Sequence, residues 1–489
     1  MSKTIVHAVK WSAFGTIARF ALQLIAQVIL ARILGPQNYG LFGIGMVVYT
    51  FGNFFSSFGF GRQLLQKQAI TEEDIRFAFT WQVVMGAIAT LVILISSPWI
   101  ATYFNEPKVL PVIQWLSVAC LLNAATAPAS NLLQRDLNFK TGAKIQFMAY
   151  GIGYFCLGIP LALAGFEVYA LVSAWMIQTL IILVATYLAR PHSIKPLFWF
   201  SDGRDALHYG GTVFVTNIIN WLLTNLDRVV IGRLLSVQSV GFYTVSYNLA
   251  TMPNNLMLSG FQTIFLTLGA KAAEDTSRLA EGYLHVLSII FVLLLPLFVF
   301  LATLSPEIIA LLYGEKWLIS GEILAILFLG MPALIIWGLS TPVLWNTGRR
   351  YLEFALQIPI LVLGGVLLFA FAANGLNTVA WIVSAICLLR AVVVASAAMW
   401  TLNLGWSAMG SDFMRGLILS GFAFSAAKCG IIIGSRWSMP AVTLAVSALL
   451  ASALAVLLLF VYPTSLGTRT QKALAKFHPI FGKFGVNLP

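Results

Sequence analysis

The sequence predicts an all-α integral membrane protein of about fourteen transmembrane helices, and three observations predict it. Only 9% of the 489 residues are charged, where a soluble chain carries roughly 25%. The mean hydropathy is +0.89. Fourteen stretches are long and apolar enough to cross a bilayer as helices, which takes about 20 residues each. These stretches are unbroken apolar runs, which argues against the ten-residue alternation of a β-barrel. Soluble enzymes, disordered scaffolds and nucleic-acid-binding modules are excluded by the same arithmetic.

The first stretch, 11–31, follows a short polar segment and runs on without a small-residue cleavage site, so it is expected to be a retained helix. The others follow at 41–61, 78–98, 111–131, 146–165 and 168–189. After a polar segment at 190–209, too short for a soluble domain, come 210–232, 241–263, 284–305, 321–345, 354–373 and 376–402. The last two are 413–434 and 440–462. Cys120, Cys156, Cys387 and Cys429 all fall inside these stretches, where cysteine is expected to serve as a small buried hydrophobe. With the N-terminus in the cytoplasm, the external loops hold only Arg32, Lys108, Arg233, Lys316 and Arg436. Cytoplasmic lysine and arginine outnumber them roughly four to one, in keeping with the positive-inside rule. This topology signal accounts for the net charge of +12 without a nucleic-acid partner. It also places the basic tail, with Arg469, Lys472, Lys476 and Lys483, in the cytoplasm.

A shift of 201 residues lays the seventh span over the first. Arg32-Ile33-Leu34-Gly35-Pro36-Gln37-Asn38-Tyr39-Gly40 then falls on Arg233-Leu234-Leu235-Ser236-Val237-Gln238-Ser239-Val240-Gly241. Without a gap, the same register puts Thr50 on Thr251, Asn53 on Asn254, and Gly59-Phe60 on Gly260-Phe261. Six spans separate the copies, so both enter the membrane in the same direction. Parallel repeats of this kind form the two halves of secondary transporters, with the site near the bilayer midplane. The expected organisation is an N-lobe at 1–208, a C-lobe at 209–405, two appended spans at 406–462 and the basic tail at 463–489.

The first span carries Ser12, Thr16, Arg19, Gln23 and Gln27 at spacings of three and four, which is one face of a helix. The register sets Asn217, Asn220, Thr224 and Arg228 on the last four. An arginine at the bilayer centre costs about 2.5–3.5 kcal/mol on the insertion scale, so the two stripes are expected to line a hydrated cavity between the halves. Arg390, in the middle of the twelfth span, and the matched pair Asn53 and Asn254 are further candidates for that cavity. Polar residues in spans also serve as packing contacts between helices. Arg32 and Arg233, at span ends, and Lys428 suit snorkelling to the headgroups. Asp227 is read as the one acid well inside a span; it suits either an ion pair with a neighbouring helix or a coupling proton. Asp227 and Glu322 are the acids placed to couple transport to H⁺ or Na⁺.

No phosphate-binding G-x-x-x-x-G-K-[ST] loop occurs, and no His or Cys cluster has metal-ligand spacing. The external acids Glu106, Glu167, Glu307, Glu315 and Glu322 are scattered over short loops, so no catalytic site, resident cofactor or metal is expected.

At Leu30–Gly40 the chain resembles the bacterial polysaccharide transporter family, within the multidrug/oligosaccharidyl-lipid/polysaccharide exporter superfamily. Three more stretches resemble it: Leu226–Arg233 with Gly241-Phe242-Tyr243, Leu133-Gln134-Arg135-Asp136-Leu137-Asn138-Phe139-Lys140, and Tyr313-Gly314-Glu315-Lys316-Trp317. The resemblance implies a V-shaped transporter of two six-helix lobes plus two helices. It implies a flippase that moves undecaprenyl-diphosphate-linked oligosaccharide repeat units across the inner membrane by alternating access. Arg19, Arg228 and Arg390 would then meet the diphosphate, while Gln23, Gln27, Asn53, Asn220 and Asn254 meet the sugars. Lipid II flippases and cation-coupled multidrug exporters share the architecture and are the alternative readings. Membrane lipid is the surrounding partner, polysaccharide polymerases or glycosyltransferases are the partner class, and a monomer is the expected state.

Overall fold

In lipid the backbone must satisfy its own hydrogen bonds, which leaves an apolar chain of this kind to fold as helices. The computed structural model describes residues 3–56, 64, 67, 69–199, 203–272, 276–437, 439–461 and 466–471. The fold is all-α, and no strand occurs among the described residues. The chain divides into two compact units, Met1–Thr244 and Val245–Pro489.

In the first unit, α1 is Lys3–Ser56, α2 Glu72–Tyr103 and α3 Val109–Arg135. Then come α4 (Phe139–Tyr150), α5 (Ile159–Leu163), α6 (Val168–Ala189) and α7 (Gly203–Leu234). A π-helical stretch, Gly151–Gly158, joins α4 to α5. Helix α8, Val237–Ala272, starts in the first unit and ends in the second. The second unit continues with α9 (Thr276–Ile289), α10 (Leu295–Thr303), α11 (Ser305–Leu312) and α12 (Leu318–Asn346). It ends with α13 (Arg350–Phe371), α14 (Leu376–Thr401), α15 (Ser407–Gly434) and α16 (Pro440–Val461).

Eleven helical segments among the described residues are long and apolar enough to cross a membrane. Ten coincide with expected spans three to six and nine to fourteen, while α1 covers the first two spans together. Helices α7 and α8 lie at the seventh and eighth stretches and are not among the eleven. The segment 32–40, expected as a loop, is a tight break instead: α1 is two helices that meet at Gly35, whose φ of +72° and ψ of 176° are not helical. Only glycine adopts that backbone readily, and Pro36, whose φ is already helical, starts the next stretch. Asn38 Nδ2 donates to the Leu34 carbonyl at 2.9 Å, satisfying a group the kink leaves open. At the counterpart turn Ser236 caps α8, its Oγ accepting from the Ser239 backbone N–H at 3.1 Å.

The division at Thr244 groups α7 with the first unit, where α7 packs against α1. The repeat register divides the chain earlier, at 208/209, because it follows sequence similarity rather than contact. In the first unit α2 lies along α3, and the core contains Val112, Leu116 and Cys120, all fully buried. Helix α2 turns Leu91, Val92, Ile95 and Trp99 outward, a face that lipid covers in a membrane. Cys156 and Cys429 are also exposed, which corrects the expectation that all four cysteines are buried. They sit on the outer sides of apolar helices, where lipid makes burial within the protein unnecessary.

In the second unit α12 runs through the core, burying Leu324, Leu339 and Val343, and Tyr283 is within 2.6 Å of Ser340 Oγ. Helix α15 packs along α10, and the returning segment 466–471 closes onto this end. There Thr470 Oγ1 meets Ser288 Oγ at 2.8 Å, and buried Asp412 holds Arg415 at 3.4 Å and Arg469 at 3.6 Å. Lys472, Lys476 and Lys483 of the predicted basic tail lie outside the described residues.

Candidate functional site

Helix α1 brings its polar face into the first unit. Arg19 lines a cavity of about 280 Å³ walled by α1, α3, α4 and α6, together with Ser130, Gln134, Asn138, Gln146 and Thr186. Gly15 and Ala143 bring α1 and α4 together beside it; a Cβ on Gly15 would stand 2.6 Å from that of Ala143. The Arg19 Nε is buried with no hydrogen-bond partner among the described residues. Two turns along, Gln27 Nε2 is in the same situation, while the Gln27 carbonyl accepts from Tyr39 Oη at 3.1 Å. Gln23, between them, is half-buried. The side chains of Ser12, Thr16 and Asn217 fall outside the described residues, and so does the Gly59-Phe60 pair.

The matched face of α7 forms a chain of polar contacts. Thr224 Oγ1 donates to the Asn220 carbonyl at 2.8 Å, and Asn225 Nδ2 donates to Thr224 Oγ1 at 3.0 Å. Arg228 Nη1 donates to Asn225 Oδ1 at 3.1 Å. Trp221 Nε1 crosses to Thr50 Oγ1 at 3.0 Å, so the seventh span is hydrogen-bonded to the second-span half of α1. Asn53, one turn beyond Thr50, is half-buried. Arg233 is exposed and anchored, donating to the Tyr103 carbonyl at 2.7 Å.

Asp227 is 6% exposed. Its Oδ2 accepts from Tyr243 Oη at 2.6 Å and its Oδ1 from the Arg228 backbone N–H at 2.7 Å. Among the described residues, the phenol of Tyr243 on α8 is the side chain that hydrogen-bonds to it.

In the second unit Asn254 is 1% exposed, and its Oδ1 has no partner among the described residues. Glu322 is exposed and accepts from Asn377 Nδ2 at 2.8 Å. Arg390 is 3% exposed, with its guanidinium carbon 3.5 Å from the centre of the Trp337 ring. Its Nη2 donates to Gln357 Oε1, and Gln357 Nε2 donates to Glu353 Oε1 at 2.9 Å. Thr341 Oγ1 donates to the same oxygen at 3.1 Å, and Trp345 Nε1 donates to Oε2. The result is a buried arginine and a buried carboxylate joined through one amide.

Glu353 escapes the sequence reading because the eleventh apolar stretch, 354–373, begins one residue after it. The signal was the Glu353–Gln357 pair at helical i, i+4 spacing, opposite an intramembrane arginine. Ser130, Gln134, Asn138 and Gln146 escape that reading as well. Of these, Gln134 and Asn138 stand in a stretch singled out only as a family motif.

Residues 29–321 match the model of the polysaccharide biosynthesis protein family. The chain is 24% identical over 425 residues to the teichuronic acid biosynthesis protein TuaB of Bacillus subtilis (strain 168), covering 86% of this chain and 87% of that protein. It is 22% identical over 421 residues to the succinoglycan biosynthesis transport protein ExoT of Rhizobium meliloti (strain 1021), covering 86% and 83%. Among solved structures it is similar to a lipid II flippase, MurJ, in an inward closed conformation. That match has a TM-score of 0.71 at 14% identity and covers 92% of this chain and 98% of the other. At that identity the likeness is one of fold.

Proposed function

The chain belongs to the polysaccharide biosynthesis protein family, and from that membership we propose that it is a flippase for lipid-linked oligosaccharides. It carries undecaprenyl-diphosphate-linked repeat units across the bacterial inner membrane by alternating access, for surface polysaccharide assembly. It is a multi-pass transporter rather than an enzyme, with both termini in the cytoplasm.

The observation that carries this reading is a pair of buried polar atoms on α1, Arg19 Nε and Gln27 Nε2, that have no partner among the described residues. A buried donor without an acceptor costs about 1–3 kcal/mol. Two of them on one apolar helix, with no acceptor among the described residues, suit a ligand that brings acceptor atoms of its own. A diphosphate offers such atoms with charge, and the planar guanidinium fork matches phosphate oxygens in pairs. Gln23, Gln27, Asn53, Asn220 and Thr224 offer the amides and hydroxyls that sugar hydroxyls require. Arg228 adds a second cation on the matched helix. A multidrug exporter selective for cations would place acids where Arg19 stands.

The test is made on lipids extracted from a strain lacking the gene. Mass spectrometry should find one completed undecaprenyl-diphosphate repeat unit accumulated, with the surface polymer lost. Lipid II accumulating instead would replace the substrate, and loss of resistance to cationic dyes with neither lipid changed would replace the class. Complementation with Arg19→Ala, expressed at the wild-type level, is expected to restore less than a tenth of the polymer. Full restoration would remove Arg19 from the mechanism.

A further inference from the structure

The stretch Leu133–Lys140 takes no part in the reading above, yet the fold makes it a wall of the Arg19 cavity. Helix α3 ends at Arg135, the chain turns, and Asn138 caps α4 by accepting from the Thr141 backbone N–H at 3.3 Å. That turn sets Leu133, Gln134, Asn138 and Phe139 around the cavity that Arg19 enters from α1. Gln134 and Asn138 are exposed, so they stand at its mouth. Ser130 and Gln146 add a hydroxyl and a third amide.

The charge inventory is one-sided. Among the described residues no carboxylate lines the cavity. Asp136, on the same turn, is engaged elsewhere, its Oδ2 accepting from Arg190 Nε at 2.8 Å. Arg135 also turns away, donating through Nη1 to the carbonyls of Leu64 and Lys67. The first turn of α4 adds the partial positive charge of a helix N-terminus at Phe139 and Gly142. A guanidinium whose buried Nε has no partner among the described residues, amide and hydroxyl donors and a helix start therefore face one open-mouthed cavity, with no carboxylate among the described residues that line it.

We propose that the cavity between α1, α3, α4 and α6 is a binding site for a phosphate-ester headgroup, held by Arg19 with Gln134, Asn138 and Gln146. The site lies wholly within the first unit. The headgroup comes either from the undecaprenyl-linked substrate or from an ordinary anionic phospholipid. Only the choice of the undecaprenyl probe rests on the flippase reading.

The experiment is native mass spectrometry of the purified full-length protein with three probes: undecaprenyl diphosphate without sugars, phosphatidylglycerol and uncharged diacylglycerol. The wild type is expected to retain one phosphorylated lipid well above diacylglycerol. Arg19→Gln and the double variant Gln134→Ala/Gln146→Ala are each expected to weaken that retention about tenfold or more, the scale of a lost charge-assisted contact. Arg19→Lys, which keeps the charge but not the fork, should fall between, and it stands in should the other variants fail to elute as folded protein. Preference for undecaprenyl diphosphate assigns the cavity to the substrate, and preference for phosphatidylglycerol assigns it to structural lipid. The proposal is overturned if the wild type holds neither phosphorylated lipid above diacylglycerol, or if folded variants hold them equally well. Binding is read on purified protein and transport in cells. A strain that accumulates the repeat unit while the cavity binds nothing leaves the flippase reading standing and removes this one.

Discussion

At residue 35 the chain turns on a glycine at φ +72°; at its repeat counterpart, residue 236, it turns on a serine that caps the next helix. Both copies separate two helices at this point, the first with Gly35, Pro36 and Asn38 and the second with Ser236. What the copies share is the glycine five residues on. A Cβ on Gly40 would land on the Val237 carbonyl, and a Cβ on Gly241 would land on the Pro36 carbonyl. Val237 is the counterpart of Pro36, and Gly241 of Gly40. The two copies thus press into each other reciprocally within the first unit, and the shared glycines are where backbone meets backbone. The repeat constrains the mutual contact tightly and leaves the chemistry of each turn free.

A second contrast runs alongside. The register sets Asp227 on Ala26 and Tyr243 on Phe42. The second copy buries a carboxylate–phenol hydrogen bond of 2.6 Å where the first has an apolar pair.

The reciprocal contact should break most severely. Gly40→Val or Gly241→Val is expected to lower stability by about 3 kcal/mol or more, since the opposing atom is backbone and even a Cβ would overlap it. Thermal unfolding of the purified protein in detergent reads this, and a midpoint within a degree of wild type would contradict the close approach. Next comes the polar pair. Asp227→Ala alone leaves the Tyr243 phenol buried without its acceptor and should cost about 1–3 kcal/mol. Asp227→Ala with Tyr243→Phe recreates the first copy's chemistry and should recover most of that loss. If the double variant folds well but no longer transports, Asp227 carries a coupling ion; if it transports normally, the pair is structural. The turns themselves come last. Gly35→Ala is expected to cost about 1–3 kcal/mol, because its conformation is nearly exclusive to glycine, although nothing lies within 4 Å of the added Cβ. Ser236→Ala removes a cap and should cost about 1 kcal/mol. Equal effects at both positions would mean that the two turns are held by the same interaction.

Hydropathy and spacing by themselves determined that the chain is all-α and membrane-spanning, because no soluble surface can be built from so few charges. The polar face of α1 was equally legible, since residues three and four apart must share a side of a helix. The gapless register located Gly40 and Gly241 as matched positions, without revealing that they touch. Tertiary structure alone decided the partners. It gave Asp227 a phenol from α8, tied Arg390 through Gln357 to Glu353, and set Arg19 among amides from α3 and α4. Those partners lie from 16 to 127 residues away in sequence, and periodicity says which side of a helix is polar but not which helix lies against it. A pairing between distant residues follows from how the helices cross, and that is settled by packing across the whole bundle.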